Sequence, residues 1–347
     1  MQHILYFYPH LSTFIDRDIK MLRSVYSVLP FEFRSKPKWR ILFEFIRQAL
    51  FILSNVKRNQ VWICHFAGHS SLLPALLGKI LGRRCLIIVA GTDAARFPSI
   101  NYGNFNRKLL AWSTSKSLAW CSMILPVHKS LVYQKYEYDA TGAPAQGYSH
   151  FAPKTKKVPY LPIPYGYDVE FFKPDERIER IPSSFVTIGI LDEKNVFFRK
   201  GMDLVIELAR LKPDAVFTIV GGGSTHIALP ENVKLLPKCK PEEIVQILSS
   251  HTFYLQLSLM EGFPNALAEA MLCGCIPIGS NVSGIPHIIG DCGIIIDKKE
   301  LNLLNESINT FVRINDLAAY SNKARLRISS NFTEKHRLHL LKSSIES

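Results

Sequence analysis

The chain has 347 residues, of which 47% are hydrophobic and 20% are charged. These values are typical of a globular protein with two domains, and they exclude a disordered or repetitive chain. The seven cysteines are odd in number and form no C-x-x-C pair, which argues for reduced thiols and against a disulfide scaffold or a zinc site. The first residues lack the basic segment, apolar run and cleavage site of a secretory signal, so we expect a cytoplasmic protein.

The net charge of +13 comes entirely from the first half of the chain. Residues 1–174 contain 23 Lys and Arg against 9 Asp and Glu, whereas residues 175–347 contain 19 and 20. A one-sided basic surface favours an anionic partner such as a membrane, although a merely soluble basic surface is the alternative. The sequence shows no nucleic-acid-binding fold and no interleaving of basic and aromatic residues, so we predict no nucleic-acid partner.

Short apolar runs alternate with helical patterns, and this alternation occurs twice. In the first half the predicted strands are 3–8, 61–66, 84–91 and 122–127, and the predicted helices are 37–54 and 71–81. In the second half the strands are 184–190, 215–223, 232–237, 251–258 and 275–280, and the helices lie near 201–211, 241–250 and 264–273. The pattern predicts an α/β protein with two doubly wound, Rossmann-like domains.

The longest apolar segment, 39–58, is too polar to cross a membrane, which takes about 20 apolar residues. It is interrupted by Arg40, Glu44, Arg47 and Gln48 and flanked by Lys36, Lys38, Lys57 and Arg58. This pattern fits an amphipathic helix on a membrane surface. An ordinary helix that packs on the core is the alternative.

The segment 258–280 contains two glutamates eight residues apart at the start of a predicted helix. Gly262 lets the backbone turn closely after Glu261, and Pro264 suits the first helical position. The positive end of such a helix can hold an anion or hydroxyl groups through free backbone N–H groups, which here belong to Phe263, Asn265 and Ala266. Glu269, in the second turn, can accept hydrogen bonds from a diol such as ribose. A pair of solvated glutamates is the alternative.

Two weaker signals lie at other predicted strand ends, where ligands bind in open α/β sheets. Arg199 and Lys200 precede helix 201–211 and can neutralise a diphosphate. The glycines 221–223, among them Gly222, allow a backbone to approach a ligand. They do not form the G-x-G-x-x-G pattern of a nicotinamide dinucleotide site.

With these residues in view, the chain resembles the family-4, retaining glycosyltransferases of the two-domain GT-B class. EGFPNALAEAM (261–271) matches the paired glutamates of that family, and IPYGYDVEFFKP (163–174) resembles its interdomain signature. SNVSGIPHIIGDCGIII (280–296) resembles the segment that follows the glutamates. YPHLSTFIDRDIKML (8–22), which contains Thr13, resembles the opening of a polysaccharide-building subgroup.

The resemblance implies two Rossmann-like domains that face each other across a cleft. Residues 1–160 would form the acceptor-side domain, 161–180 the linker and 181–330 the nucleotide-sugar domain. Residues 331–347 would form a C-terminal helix that can return to the N-terminal domain. The resemblance also implies a nucleoside diphosphate sugar as donor, a glycan or lipid-linked acceptor, and no metal or other cofactor.

The site residues follow from the same resemblance. Glu269 would bind the donor ribose, Glu261 would hold the donor sugar, and Lys200 would stabilise the leaving diphosphate. The backbone that holds the sugar would comprise Gly262, Phe263, Pro264, Asn265 and Ala266. Where many members have Gly-Arg, this chain has Gly189-Ile190, and Arg199 is the candidate replacement.

A second departure lies after the predicted strand 84–91. Many members have a His or His-Asp there, whereas this chain has Asp93, which we interpret as a polar group near the reacting centre. A helix N-cap made by Asp93 or Thr92 is the alternative. Thr13, His65 and His69 are candidates for the acceptor side of the cleft, although each histidine could instead be packed or exposed to solvent.

These features predict sugar transfer onto a growing glycan at the cytosolic face of a bacterial inner membrane, with the protein bound peripherally. Lipopolysaccharide, O-antigen or capsule assembly would fit. The alternative is a catalytically degenerate scaffold that binds a sugar nucleotide without turnover.

Overall fold

The computed structural model describes residues 3–37, 39–56, 60–140, 142–192, 194–223 and 227–347. In these residues a first parallel sheet has the order β2-β1-β3-β4-β5. Its strands are β1 (His3–Tyr8), β2 (Ser27–Glu32), β3 (Gln60–His65), β4 (Arg84–Val89) and β5 (Met123–Pro126). The strand β3 is buried along its whole length, as expected for a parallel sheet covered by helices on both faces.

Helices connect these strands in sequence. They are α1 (Thr13–Arg23), α2 (Arg40–Asn55), α3 (His69–Ile80), α4 (Lys108–Trp120) and α5 (Tyr148–Phe151). A short hairpin, β6 (Gln134–Lys135) and β7 (Ala145–Gln146), precedes α5. The helices α2, α3 and α4 pack side by side, because right-handed crossovers that run in one direction along the sheet place them on one face.

The sequence patterns do not identify β2, which contains Pro30 in the segment SVLPFE. This strand lies at the edge of the sheet, where it pairs only with β1. An edge strand tolerates proline because one side of its backbone needs no partner in the ladder. The edge position therefore explains why a segment with weak strand signals still forms a strand.

A second parallel sheet has the order β10-β9-β8-β11-β12-β13, so the strand order reverses between β8 and β11. Its strands are β8 (Ile181–Ile188), β9 (Val216–Val220), β10 (Val233–Leu236), β11 (His251–Gln256), β12 (Ile276–Ser280) and β13 (Ile294–Ile296). Its helices are α6 (Lys194–Arg199), α7 (Met202–Leu211), α8 (Pro241–Ser250), α9 (Asn265–Leu272), α10 (Ile285–Ile289), α11 (Leu301–Ile314) and α12 (Leu317–Asn331). Two doubly wound sheets confirm the predicted fold class.

The last helix, α13 (Glu334–Glu346), packs against α1 of the first sheet. Arg337 of α13 is 2% exposed, and its guanidinium donates to both carboxylate oxygens of Asp18 at 2.6 Å. The same guanidinium donates to the carbonyls of Ile163 and Pro164 at 3.0 and 2.8 Å. One buried cation thus joins the C-terminal helix, the first helix and the segment between the two sheets.

The helix α2 exposes an apolar face. Glu44, Gln48 and Ile52 point inward, whereas six large apolar side chains, each at least 54% exposed, point outward. This outward set, called the α2 stripe below, comprises Trp39, Leu42, Phe43, Ile46, Leu50 and Leu53. Across the described residues, no helix combines the length and hydrophobicity that a membrane-spanning segment requires.

Candidate active site

Two cations and a carboxylate meet where the strand order of the second sheet reverses. Lys200 follows α6, and its Nζ lies 2.6 Å from Glu261 Oε1 in the loop after β11. Arg199 Nη1 lies 3.2 Å from the same oxygen, and Ser258 Oγ donates to it at 3.2 Å. Ligands of open α/β sheets bind at such a reversal, beyond the carboxyl ends of the strands. The fold therefore brings two consecutive cations to a carboxylate 61 residues further along the chain, at a position suited to a ligand.

The opposite charges of Glu261 and of Lys200 and Arg199 stabilise one another. Burial raises the pKa of Glu261, but Lys200 and Arg199 outweigh that effect and hold it below its usual value. Burial lowers the pKa of Lys200, and Glu261 opposes this change. An ammonium has three N–H donors, so Lys200 can bind Glu261 and phosphate oxygens at the same time.

Three glycines allow close backbone packing at this site, and two of them lie where the domains meet. A Cβ on Gly262 would lie 2.0 Å from the carbonyl oxygen of Ala90, and a Cβ on Gly284 would lie 2.5 Å from the carbonyl oxygen of Gly262. Gly91 has φ +138°, and a Cβ there would lie 3.1 Å from the nitrogen of Gly262. Any larger residue at position 262 would push the loop after β4 away from Glu261.

The helix α9 begins at Asn265, one residue later than the sequence pattern predicts, and Pro264 occupies its N-cap position. Phe263 is 3% exposed and packs edge-on against Phe332, so only its backbone is placed to meet a ligand. Asn265 Oδ1 is buried and has no hydrogen-bond partner in the described part of the chain. Because buried polar atoms are normally satisfied, this oxygen is suited to a donor supplied by a ligand.

A cavity of about 930 Å³ lies between the two domains. Thr13 and Arg17 of α1 line one wall, and Asn265, Ala266 and Glu269 of α9 line the opposite wall. Gly221 contributes to its rim, and its neighbour Gly222 has φ +74°, a conformation that favours glycine. Glu261 and the two cations lie outside this lining. The cavity is large enough for a nucleoside, with Glu269 placed as a hydrogen-bond acceptor.

Asp93 does not lie free in the cleft. It is fully buried, its Oδ1 accepts from the amides of Ala90 and Gly91 at 3.0 Å, and its Oδ2 accepts from the amide of Ala67 at 2.9 Å. Burial raises its pKa to about 6, although these hydrogen bonds oppose the rise. The carboxyl group ties together the loops after β3 and β4. It is therefore not an N-cap, because all three amides belong to residues that precede it, and its place near the reacting centre stays a prediction.

The two histidines predicted near the cleft have different surroundings. His65 is fully buried, and its ring nitrogens lie 2.9 Å from the hydroxyls of Tyr6 and Tyr165. Burial lowers the pKa of His65 to about 3, so the ring is neutral and packed rather than exposed to an acceptor. His69 is the first residue of α3 and is half-buried, which lowers its pKa. Of the three candidates for the acceptor side, Thr13 is the one that lines the cavity.

Sequence reasoning missed Arg17, which contacts Glu269 across the cavity. Arg17 Nη2 donates to Glu269 Oε1 at 3.2 Å, and Nη1 donates to the carbonyl oxygen of Gly166 at 3.1 Å. One feature of the sequence could have identified Arg17: it lies on the first helix after β1, at the carboxyl edge of the first sheet. Among the residues that the structure describes, no cluster of three or more His, Cys, Asp or Glu could hold a metal ion.

The model of the family "Glycosyl transferases group 1" matches residues 190–327, which contain Lys200, Glu261 and Glu269. Over 205 residues the chain is 31% identical to UDP-Gal:alpha-D-GlcNAc-diphosphoundecaprenol alpha-1,3-galactosyltransferase of Escherichia coli, covering 52% of each protein. Over 165 residues it is 26% identical to a phosphatidylinositol N-acetylglucosaminyltransferase subunit of Arabidopsis thaliana, covering 44% of this chain and 36% of that one. The chain thus spans between about a third and a half of the length of these relatives.

The solved structure of Anabaena HepE in complex with UDP covers 100% of both chains with a TM-score of 0.73 at 13% identity. A likeness at this identity concerns the fold, and it extends over both sheets and the segment that joins them. The sequence match covers the second sheet from the residues after β8 onward, together with the paired glutamates. Residues 190–327 are therefore a domain of the glycosyl transferases group 1 family, carried on a chain that has the two-domain GT-B fold along its whole length.

Proposed function

We propose that this protein is a retaining glycosyltransferase that moves a sugar from a nucleoside diphosphate sugar to a glycan or lipid-linked acceptor. The observation that carries the proposal is the contact of 2.6 Å between Lys200 and Glu261 at the reversal of the second sheet. Glu269 lines the adjacent interdomain cavity. The Escherichia coli relative is named for a UDP-sugar donor and a diphosphoundecaprenol acceptor, which supports a role in cell-surface polysaccharide biosynthesis.

In the proposed reaction the bond between the donor sugar and the diphosphate breaks, and negative charge develops on the leaving phosphate. Lys200 stabilises that charge, and Arg199 adds a second positive charge beside it. The acceptor oxygen forms its bond to the anomeric carbon from the side of the leaving phosphate, which takes the proton of the acceptor hydroxyl, so the chain needs no nucleophile of its own. The two cations supply the charge that a metal would otherwise provide, and the proposed transfer therefore uses none.

A panel of nucleoside diphosphates and their sugars, screened by thermal unfolding, tests donor binding. A ligand at 100 times its dissociation constant should stabilise the protein by about 2.7 kcal/mol. Lipid-diphosphate-linked sugars are then added, and released nucleoside diphosphate is measured with and without EDTA. We expect release in both conditions. Release that EDTA abolishes would contradict the metal-free proposal, and binding without any release would favour the degenerate scaffold.

We propose in addition that the protein works in the cytoplasm and binds peripherally to the inner face of the cytoplasmic membrane. The α2 stripe exposes a continuous apolar face, with Trp39 and Leu42 each 73% exposed. Lys36 and Arg40 are exposed beside it. Lys38, Lys57 and Arg58, the other cations predicted to flank this segment, lie outside the described residues. An exposed apolar patch bordered by positive charge is typical of a surface that binds anionic lipid.

Vesicle sedimentation tests this membrane proposal. We expect binding to vesicles of phosphatidylglycerol and phosphatidylethanolamine, loss of binding at high salt, and little binding to phosphatidylcholine. Each basic residue near an anionic surface contributes about 1 kcal/mol, so Lys36→Glu with Arg40→Glu should weaken binding at least about tenfold. The combined change of Trp39, Phe43 and Leu50 to serine should also abolish binding.

The control removes apolar surface from the other domain. Ile314 and Leu326 are 67% and 63% exposed, and their change to serine should leave vesicle binding intact. Equal binding of the wild type to neutral and anionic vesicles would contradict the electrostatic part of the proposal. Unchanged binding by the α2 stripe variant would show that another surface meets the lipid.

A further inference from the structure

Arg17 links the N-terminal domain to the carboxylate that the family resemblance assigns to the donor ribose. Its side chain is 19% exposed, and it binds Glu269 Oε1 and the carbonyl oxygen of Gly166 through different nitrogens. The guanidinium carbon lies 5.6 Å from the centre of the Tyr167 ring. A planar guanidinium held by several neighbours has little freedom. It therefore fixes the orientation of the carboxylate that it binds.

Glu269 retains the capacity to bind a ligand while it is paired. Its side chain is 16% exposed and lines the interdomain cavity together with Arg17. A carboxylate offers about four acceptor positions, and the contact of 3.2 Å with Arg17 uses Oε1. A diol in the cavity can therefore donate to the same carboxylate without displacing Arg17.

We infer that Arg17 is a positioning residue of the donor site, which holds Glu269 so that its carboxylate accepts hydrogen bonds from the ribose hydroxyls of the donor. Because Arg17 and Glu269 belong to opposite domains, ribose recognition then depends on contact between the domains. This inference rests on the proposed function, since it requires a nucleoside diphosphate in the cavity.

The electrostatics of the carboxylate support this role. Burial raises the pKa of Glu269, and Arg17 opposes the rise. Tyr167 of the interdomain segment, Tyr254 of β11 and Cys273 of the C-cap of α9 also interact with Glu269. Burial, with a smaller contribution from Glu269, raises the pKa of each, so all three are neutral near pH 7. Glu334 of α13 lies 3.6 Å from Arg17 Nε and adds no positive charge. Loss of Arg17 should therefore keep Glu269 protonated to a higher pH.

The test compares affinities for UDP, 2′-deoxy-UDP and 3′-deoxy-UDP by calorimetry, or for the guanosine set if the wild type binds GDP more tightly. Hydrogen bonds to charged groups are worth about 1.5–3 kcal/mol, so Arg17→Gln should weaken binding of the ribonucleotide about tenfold or more. The variant should lose most of the discrimination between ribose and deoxyribose. Arg17→Lys should restore part of it, and Arg17→Gln should add little loss to Glu269→Gln.

Arg23 provides the matched control, because it lies on the same helix α1, is exposed and is not among the residues that line the cavity. Arg23→Gln removes the same charge by the same substitution and should retain the discrimination between ribose and deoxyribose. In Arg17→Gln alone, the loss of affinity on acidification should begin at a higher pH than in the wild type. A purely structural change would not produce this shift, because it requires a changed pKa of Glu269.

Two results would overturn the inference and leave the proposed function intact. One is wild-type affinity and discrimination in Arg17→Gln. The other is weaker affinity with unchanged discrimination and an unchanged pH profile, which would limit Arg17 to packing of the domains. If the wild type binds neither UDP nor GDP, the proposed function fails, and this inference fails with it.

Discussion

Replacement of Lys200 by alanine is expected to lower turnover about 10²–10³-fold, with a much smaller change in nucleotide affinity. The contact of 2.6 Å with Glu261 places the ammonium at the carboxyl end of the sheet, where a leaving diphosphate would develop charge. An interaction that strengthens as charge develops lowers kcat more than it raises KM. Steady-state kinetics with a fixed acceptor, together with a thermal unfolding curve for each variant, measure this effect.

Arg199→Ala is the matched comparison, because Arg199 contacts the same carboxylate oxygen at a longer distance, 3.2 Å. Its guanidinium lies 4.9 Å from the centre of the Tyr102 ring, so part of its role is to pack against the N-terminal domain. We expect the smaller loss of turnover from this variant. A larger loss would show that Arg199 takes the role of the arginine that the family resemblance places where this chain has Ile190.

The ability to predict this fold from the sequence depended on where each strand lies. Central strands such as β3 and β4 are buried on both faces, and their apolar runs identify them. The edge strand β2 shows no such run, because its residues alternate between buried and more exposed positions. The short strand β13 (Ile294–Ile296) was missed for a similar reason, since three residues cannot establish a period.

The site was predictable where its residues are close in sequence. Glu261 and Glu269 are separated by one turn and the N-terminus of one helix, and the preferences of glycine and proline for such positions predict this local structure. The position of Arg17 depends on how two domains meet, and no local pattern contains that information. His65 ends β3 and Asp93 follows β4, but strand ends hold buried polar groups that organise loops as well as groups that bind ligands. Solvent exposure distinguishes a polar group that binds a ligand from one that is buried and structural. The sequence alone did not predict the exposure of these side chains.

The helix α1 connects the proposed donor site to the stability of the N-terminal domain. Thr13 lines the cavity, Arg17 binds Glu269, and the buried Asp18 binds Arg337. Because Arg17 and Asp18 are neighbours, the ion pair that anchors α13 also fixes the helix that carries the cavity residues. We therefore expect damage to this anchor to affect both folding and donor affinity.

Arg337→Met is expected to lower the free energy of unfolding by about 3–5 kcal/mol, because it leaves Asp18, only 1% exposed, as an unpaired buried carboxylate. Ile163 and Pro164 would also lose their hydrogen-bond donor. Urea unfolding followed by tryptophan fluorescence measures the effect in the N-terminal domain. The 4 tryptophans, at positions 39, 62, 112 and 120, all lie in the first half of the chain.

Lys342→Met is the control for this change, because Lys342 pairs with Glu346 on the same helix at 3.8 Å with both side chains 50% exposed. Exposed pairs contribute about 0–1 kcal/mol, so this variant should unfold close to the wild type. Adding Asp18→Leu to Arg337→Met removes the unpaired charge and should recover part of the loss. If Arg337→Met unfolds like Lys342→Met, then α13 is held by its apolar contacts, such as those of Leu341 and Ile345, and the buried ion pair does not anchor it.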